Sequence, residues 1–311
     1  MPLVCPGHSR GIVQLEYSPV TVDGYFLISA CLDGYPMLRD GATGNWLGTF
    51  HGHKGAVWSA SLNNTATLAV TGGADFTCRI WNALNGLCLR TYSQPHICRA
   101  VSFSEDSTKV LVGGNMKTLS IFDLLGGQQT EPLTVLEGHT SVVRFAGFFG
   151  EGHKLIVSGG DEPFLYIWDT RSGKLVNKLD LDAHCIKSAE ISSTGSFTKL
   201  TAVTGNSLQF WDLNQLCRMD TMSISQDAEC ASSSGNHVVV GGRDLQIRLY
   251  DTNTKQVLHT FHGHHGPVWC VRFSPLGDGF ASGSDDGTIR LWKDEYFLSS
   301  TSSSSNAAIV N

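Results

Sequence analysis

Nowhere in the 311 residues is there a run of about eighteen apolar side chains, so no membrane-spanning helix is expected. The opening stretch, MPLVCPGHSRG, has no hydrophobic centre of the kind a secretory signal needs. Cys-x-x-Cys pairs are missing. The nine cysteines are scattered and odd in number, which disfavours a zinc site or a disulfide framework and fits a reducing compartment. Each reads as a small buried hydrophobe. Basic runs are missing too: beyond short pairs no Lys/Arg cluster occurs, and the formal net charge is −6. Nothing draws the molecule as a whole toward a phosphate backbone. No apolar pattern of helical period persists, and there is no P-loop, no Gly-x-Ser-x-Gly and no His-Glu-x-x-His. The expectation is a chain with no catalytic residue, no metal site and no cofactor.

What the chain does have is repetition. Residues 52–81, GHKGAVWSASLNNTATLAVTGGADFTCRIW, and residues 264–292, HHGPVWCVRFSPLGDGFASGSDDGTIRLW, share one order of parts: a His, an alternating apolar run, a turn, a second apolar run, Gly, Asp, then β-branched residues and Trp. Aligning each unit on its last position gives Arg39, Trp81, Phe122, Trp168, Trp211, Tyr250 and Trp292, with gaps of 42, 41, 46, 43, 39 and 42 residues. That period, with Gly-His and Trp-Asp marks, is the signature of four-stranded propeller blades. Asn-, Asp- and Gly-rich segments such as NALNG and DTRSG supply the turns. The fold class predicted is all-β: a seven-bladed propeller of four antiparallel strands per blade over residues 1–298. Leu3 to Cys5 would furnish the outer strand of the last blade, because a ring left open exposes a strand edge. Residues 299–311 read as a flexible Ser-rich tail, and residues 295–298 as a segment able to dock on an edge.

His, Asp and Ser are also the side chains of a hydrolase triad, so the repeated set needs a reading. Blades two and seven carry it complete: His53, Thr71, Asp75 and Trp81, then His264, Ser282, Asp286 and Trp292. Blade four has Glu162 at the Asp place, blade one Arg39 at the Trp place, and blades three and five Met116 and Gly205 at the Asp place; blade six has no His. A triad occurs once per active site, whereas a set that returns blade after blade is a structural device. The turn Asp can pair with the His, the His with the hydroxyl, and the hydroxyl with the indole N–H. Buried polar groups left unpaired would cost about 1–3 kcal/mol each. GGDEPF, residues 159–164, groups two acids but fills the ordinary turn position.

These residues resemble the WD40-repeat family over nearly the whole chain. The first-blade text, with PMLRD in place of a Trp-Asp ending, and GHKGAVW after it are similar to one branch of adaptors within it. That resemblance implies a non-enzymatic scaffold, cytoplasmic and also nuclear. Its implied partners are assembly factors of the SMN complex that builds spliceosomal ribonucleoproteins, an RNA-binding protein, and a receptor kinase. The propeller subunit of translation initiation factor three shares LGT, the GAVW text and RLW, and stands as the alternative. Members of the adaptor branch carry a longer acidic C-terminal extension, so partners that read it are not expected here.

Function on a rigid ring lives at its loops and strand ends. The residue three to five places after each His opens the innermost strand, which puts Trp58, Arg99, Arg144, Lys187 and Trp269, with Val13, at the channel mouth; Arg243 comes from the turns before the Asp place. Two Trp and several basic residues there make a candidate protein-binding patch, since Trp and Arg dominate interface energetics. The competing reading has the tryptophans packed between blades. Residues 255–261 and the closing strand are candidate edges for strand addition. Direct RNA binding at the same mouth is the reading from another class, and the acidic net charge weighs against it.

Overall fold

A computed structural model describes residues 2–127, 130–194 and 197–293; the proposed tail and docking segment lie outside them. Among the described residues twenty-eight strands form seven antiparallel sheets of four. Six blades are consecutive in the chain, over residues 12–49, 57–93, 98–137, 143–180, 186–223 and 228–261. The seventh is built from β26 (Val268–Phe273), β27 (Phe280–Ser284), β28 (Ile289–Trp292) and β1 (Leu3–Cys5) in the order β1-β28-β27-β26, so β1 pairs with β28 and closes the ring. The only helical element among the described residues is a 3-10 turn at Glu151–His153, and no helix is long and apolar enough to cross a membrane. Each repeat mark sits in the third strand of its blade, as in β8 (Thr77–Asn82) and β16 (Phe164–Asp169).

The core lies between blades rather than within them. One cluster joins Ile28, Ala30, Leu38 and Phe50 of blade one to Val57, Leu62, Ala69 and Trp81 of blade two. Another joins Cys5, Ile289 and Leu291 of the last blade to Ile12, Leu15 and Leu27 of the first. Each fully buried Leu or Ile contributes ~1.5–3 kcal/mol. No single blade keeps both its faces dry alone, so the seven stand as one cooperative ring.

The first two strands of every blade are joined through the same irregularity. Their register slips once, between Val57 and Ser59, Cys98 and Ala100, Val143 and Phe145, Ile186 and Ser188, Ala228 and Cys230, Val268 and Cys270, and Ile12 and Gln14. The residue skipped is the extra member of a β-bulge, which re-aims its side chain. At the crossing the backbones approach closely. A Cβ on Gly114 would stand 2.2 Å from the Ile97 carbonyl oxygen, one on Gly160 1.9 Å from that of Val142, and one on Gly242 2.2 Å from that of Asp227. In these three blades the approach leaves room only for Gly; blades one, five and seven carry the same bulge with Cys31, Thr204 and Ser284 at that register position.

At the face opposite the bulges the channel widens into a cavity of about 1490 Å³, with Glu16, Glu190, Lys199 and Arg272 among its lining. Glu16 Oε1 accepts from Ser61 Oγ at 2.5 Å and from the Leu62 N–H at 3.3 Å. Burial pushes its carboxyl up to about 7, against the pull of Ser61 and of Arg272. Raised above its unfolded value, this acid holds its proton longer in the fold, and its ionisation costs stability as the pH climbs from about 4.5 through 7. Glu16→Gln, which keeps the acceptor and cannot ionise, is expected to exceed the wild type at pH 8 by about 1–3 kcal/mol and to match it at about pH 4. Urea unfolding at the two pH values measures the difference; an equal gain at both would assign it to packing.

Candidate functional site

The buried sets come first, because their chemistry bears on catalysis. In blade two His53 Nδ1 lies 3.0 Å from Asp75 Oδ2 and its Nε2 2.7 Å from Thr71 Oγ1, while Trp81 Nε1–H donates to the same hydroxyl at 2.8 Å. In blade seven His264 reaches Asp286 at 3.0 Å and Ser282 at 2.7 Å, and Trp292 donates to Ser282 at 2.8 Å. Burial holds both imidazoles below their ordinary pKa despite the neighbouring carboxylates. A neutral ring then donates from Nδ1 to the acid and accepts the hydroxyl proton at Nε2, leaving the hydroxyl oxygen for the indole. Burial works to raise Asp286, yet hydrogen bonds from Thr288, His265 and His264 bring it down to about 2. The hydroxyl, which a hydrolase would need exposed as nucleophile, belongs to residues with essentially no exposure: Thr71 at 0% and Ser282 at 0%.

Blade four completes the same network with a glutamate. His139 Nε2 meets Ser158 Oγ at 2.8 Å, Trp168 Nε1–H donates to Ser158 at 2.8 Å, and Glu162 accepts the Thr140 and Ser141 N–H groups and the Tyr166 hydroxyl. In blade one His8 keeps Asp33 and Ser29, while Arg39, buried at the Trp place, donates instead to the carbonyls of Gly44 and Pro6. In blade five Trp211 Nε1–H turns to Gln209 Oε1 at 3.2 Å and Thr201 pairs with Ser233. His96, with Met116 at its Asp place, is exposed and lies 5.4 Å from the Phe76 ring, centroid to centroid. Among the described residues His8, Cys31 and Asp33 form the one group of potential metal ligands. Its atoms are already committed: the thiol donates to the Arg10 carbonyl oxygen, and burial pushes it up to about 12.

The channel mouth is built on the seven bulges. Their extra residues are Val13, Trp58, Arg99, Arg144, Lys187, Glu229 and Trp269. Glu229 is absent from the sequence-derived patch because blade six has no His to count from; its place one residue into β22 (Ala228–Ser234) was the available signal. Neither Trp58 nor Trp269 is fully buried; each is partly exposed. On one side the mouth is internally neutralised. Arg144 pairs with Asp161. Lys187 Nζ meets Glu229 Oε1 at 3.4 Å, and Arg243 Nε meets the same oxygen at 2.8 Å. The Arg243 guanidinium lies 5.9 Å from the Trp269 ring centroid, and Trp269 Nε1–H donates to Asp285 Oδ1 at 3.3 Å. On the other side the Arg99 guanidinium lies 4.1 Å over Trp58 and its Nε donates to Asn115 Oδ1 at 2.8 Å, with no carboxylate in the pair. In the turn of blade two, two residues beyond Ala74 and against His96, Phe76 stands at φ 62°, where blades one and seven have Gly34 and Gly287. A bulky residue in this left-handed region costs roughly 1–2 kcal/mol, and 45% of Phe76 remains exposed.

Seven four-stranded blades in a closed ring, two of them locked by a complete His–Asp–Ser/Thr–Trp network, define a WD40-repeat β-propeller. The WD domain, G-beta repeat family matches residues 44–82, 130–169 and 255–293. The serine-threonine kinase receptor-associated protein of Dictyostelium discoideum is 42% identical over 294 residues, spanning 94% of this chain and 98% of that one. The Homo sapiens protein of that name is 40% identical over 297 residues, spanning 94% and 82%. The chain belongs to the family of the serine-threonine kinase receptor-associated proteins. Eukaryotic translation initiation factor 3 subunit I of Nematostella vectensis stands further off, at 29% identity over 93% of this chain and 95% of that one.

Proposed function

We propose that this chain is a non-catalytic adaptor that holds other proteins at its channel mouth, in ribonucleoprotein assembly of the SMN-complex type or at a receptor kinase, in the cytoplasm and nucleus. One observation carries the reading. The polar sets that repeat from blade to blade are buried and spent on each other, whereas the seven bulged mouth positions carry five residue types and stay open to solvent to differing degrees. Repetition makes the ring, and the departures from repetition make its surface specific. The relatives' name, receptor-associated, agrees with a binding role for those proteins.

Translation initiation is the second reading, favoured by the match to subunit I. Direct RNA binding is less well supported, because Asp161, Glu229 and Asp285 stand among the mouth cations. Affinity purification of the tagged full chain from its native cell separates the three. Sm-core assembly factors or a receptor kinase are expected with it. Recovery of initiation-factor subunits instead would move the chain to the second reading. Binding to naked RNA that falls steeply with salt would move it to the third.

A further inference from the structure

Two tryptophans occupy equivalent bulges, and the structure treats them differently. Trp269 has Asp285 as acceptor for its indole N–H. The position matching Asp285 in blade two is Ala74, set on the same backbone: the Ala74 N–H donates to Ala56 as the Asp285 N–H donates to Pro267. Trp58 Nε1 is consequently buried with no hydrogen-bond partner among the described residues, an arrangement that folding disfavours. Beside it, Arg99 is the mouth arginine without a carboxylate partner, since Arg144 has Asp161 and Arg243 has Glu229. Two acids that the rest of the mouth supplies are thus missing here, replaced by Ala74 and Asn115. The loops around the gap offer no free substitute: Asp33 and Asp75 are covered, their side chains 4% and 8% exposed against their own histidines, and Asp161, whose charge reaches Arg99 across the mouth, is already paired with Arg144. Lys54 and Lys117 in those loops are exposed.

We propose that the mouth between blades two and three is a receptor for an acidic segment of a partner protein. An Asp or Glu side chain enters where Asp285 stands in blade seven, accepts from the Arg99 guanidinium and, after a turn of the partly exposed indole, from Trp58 Nε1–H; an apolar neighbour packs on Phe76. The inference rests on the adaptor reading and gives it a ligand chemistry. A nucleic acid fits the sector less well, because the acids of blades four, six and seven interrupt any basic track around the mouth.

Ala74→Asp tests it by building the missing carboxylate into the chain. A phage-displayed random-peptide library is selected on the full-length protein, and the enriched peptides are measured by fluorescence polarisation, beside their Asn/Gln counterparts and an oligouridine RNA. Enriched peptides are expected to pair Asp or Glu with an apolar residue, to bind at least about tenfold more weakly once amidated, and to lose as much against Ala74→Asp and Arg99→Gln. Arg171→Gln, in the exposed turn that follows the blade-four Trp-Asp and away from the mouth, is expected to bind as the wild type does. Ala74→Asp is also expected to melt no lower than wild type, since it satisfies the indole N–H; should it unfold, Arg99→Gln carries the comparison. Selection of peptides without acids or of none, undiminished binding to Ala74→Asp, or preference for the RNA would overturn the proposal. If Ala74→Asp still co-purifies every partner of the wild type, the adaptor reading stands and this site falls; if the wild type itself recovers no protein, the adaptor reading falls.

Discussion

Asp286→Ala is expected to unfold about 3 kcal/mol more easily than the wild type, and to melt roughly 5–8 °C lower. Four hydrogen bonds end on this carboxylate: Oδ2 accepts His264 Nδ1 at 3.0 Å and the His265 N–H at 2.9 Å, and Oδ1 accepts the Thr288 N–H at 2.8 Å and hydroxyl at 2.7 Å. Alanine leaves these donors facing apolar side chains or a space too small to hydrate well. It also releases the imidazole whose other nitrogen meets Ser282, and through it the Trp292 N–H. The pH dependence has a definite sign. Folding depresses the Asp286 pKa to about 2 from 3.8, so its stabilisation is fully present above about pH 4 and is lost as the pH falls through 2. The gap between wild type and variant, followed by denaturant unfolding, is expected to close over that range. Partner capture at a temperature where both are folded is expected to be the same. A variant that melts normally yet loses a chemical activity would mean that the repeated sets are catalytic after all.

The larger effect is expected from removing residues 1–5. Strand β1 contributes the pairs Leu3 with Leu291, Val4 with Arg290 and Cys5 with Ile289. Cys5 is buried in the cluster that joins the last blade to the first, and the Pro6 carbonyl just beyond it takes the Arg39 guanidinium. Without β1, blade seven has three strands, β28 becomes an open edge, and that cluster loses its cover. A loss of about 4 kcal/mol or more is expected, with a melting temperature lower by roughly 10 °C. The bare edge should also pair between molecules. Calorimetry and light scattering follow the two effects, and a synthetic peptide of residues 1–6 is expected to restore part of the stability by adding itself as the missing strand. A truncated chain that melts like the intact one would show that the ring does not depend on this closure.

Much of this architecture was legible before any coordinates, for a physical reason. The parts of one blade lie within about forty residues of each other, so hydrophobic alternation, turn residues and the His–Asp–Ser/Thr–Trp spacing are local signals that seven copies make redundant. Even the long-range pairing of Leu3 to Cys5 with the last blade could be read, because six blades have a fourth strand in sequence and the seventh lacks one. Where a blade departs from the repeat the reading thinned. The Trp211 N–H goes to Gln209 rather than to Thr201, and Glu162 gains Tyr166 as a donor; both depend on which neighbour fits once the strands pack.

The sequence by itself determined the ring: seven blades, their closure, and the buried sets, all consequences of a period that short-range chemistry repeats. Tertiary structure alone decided how the mouth residues pair. Within a blade the bulge brings Glu229 to Arg243 and Trp269 to Asp285; the seating of one blade against the next brings Lys187 to that same Glu229 and Arg99 over Trp58, the pair left without an acid. Lys187 and Glu229, 42 residues apart in the chain, meet there only because consecutive blades pack side by side, and no local pattern records that they will meet.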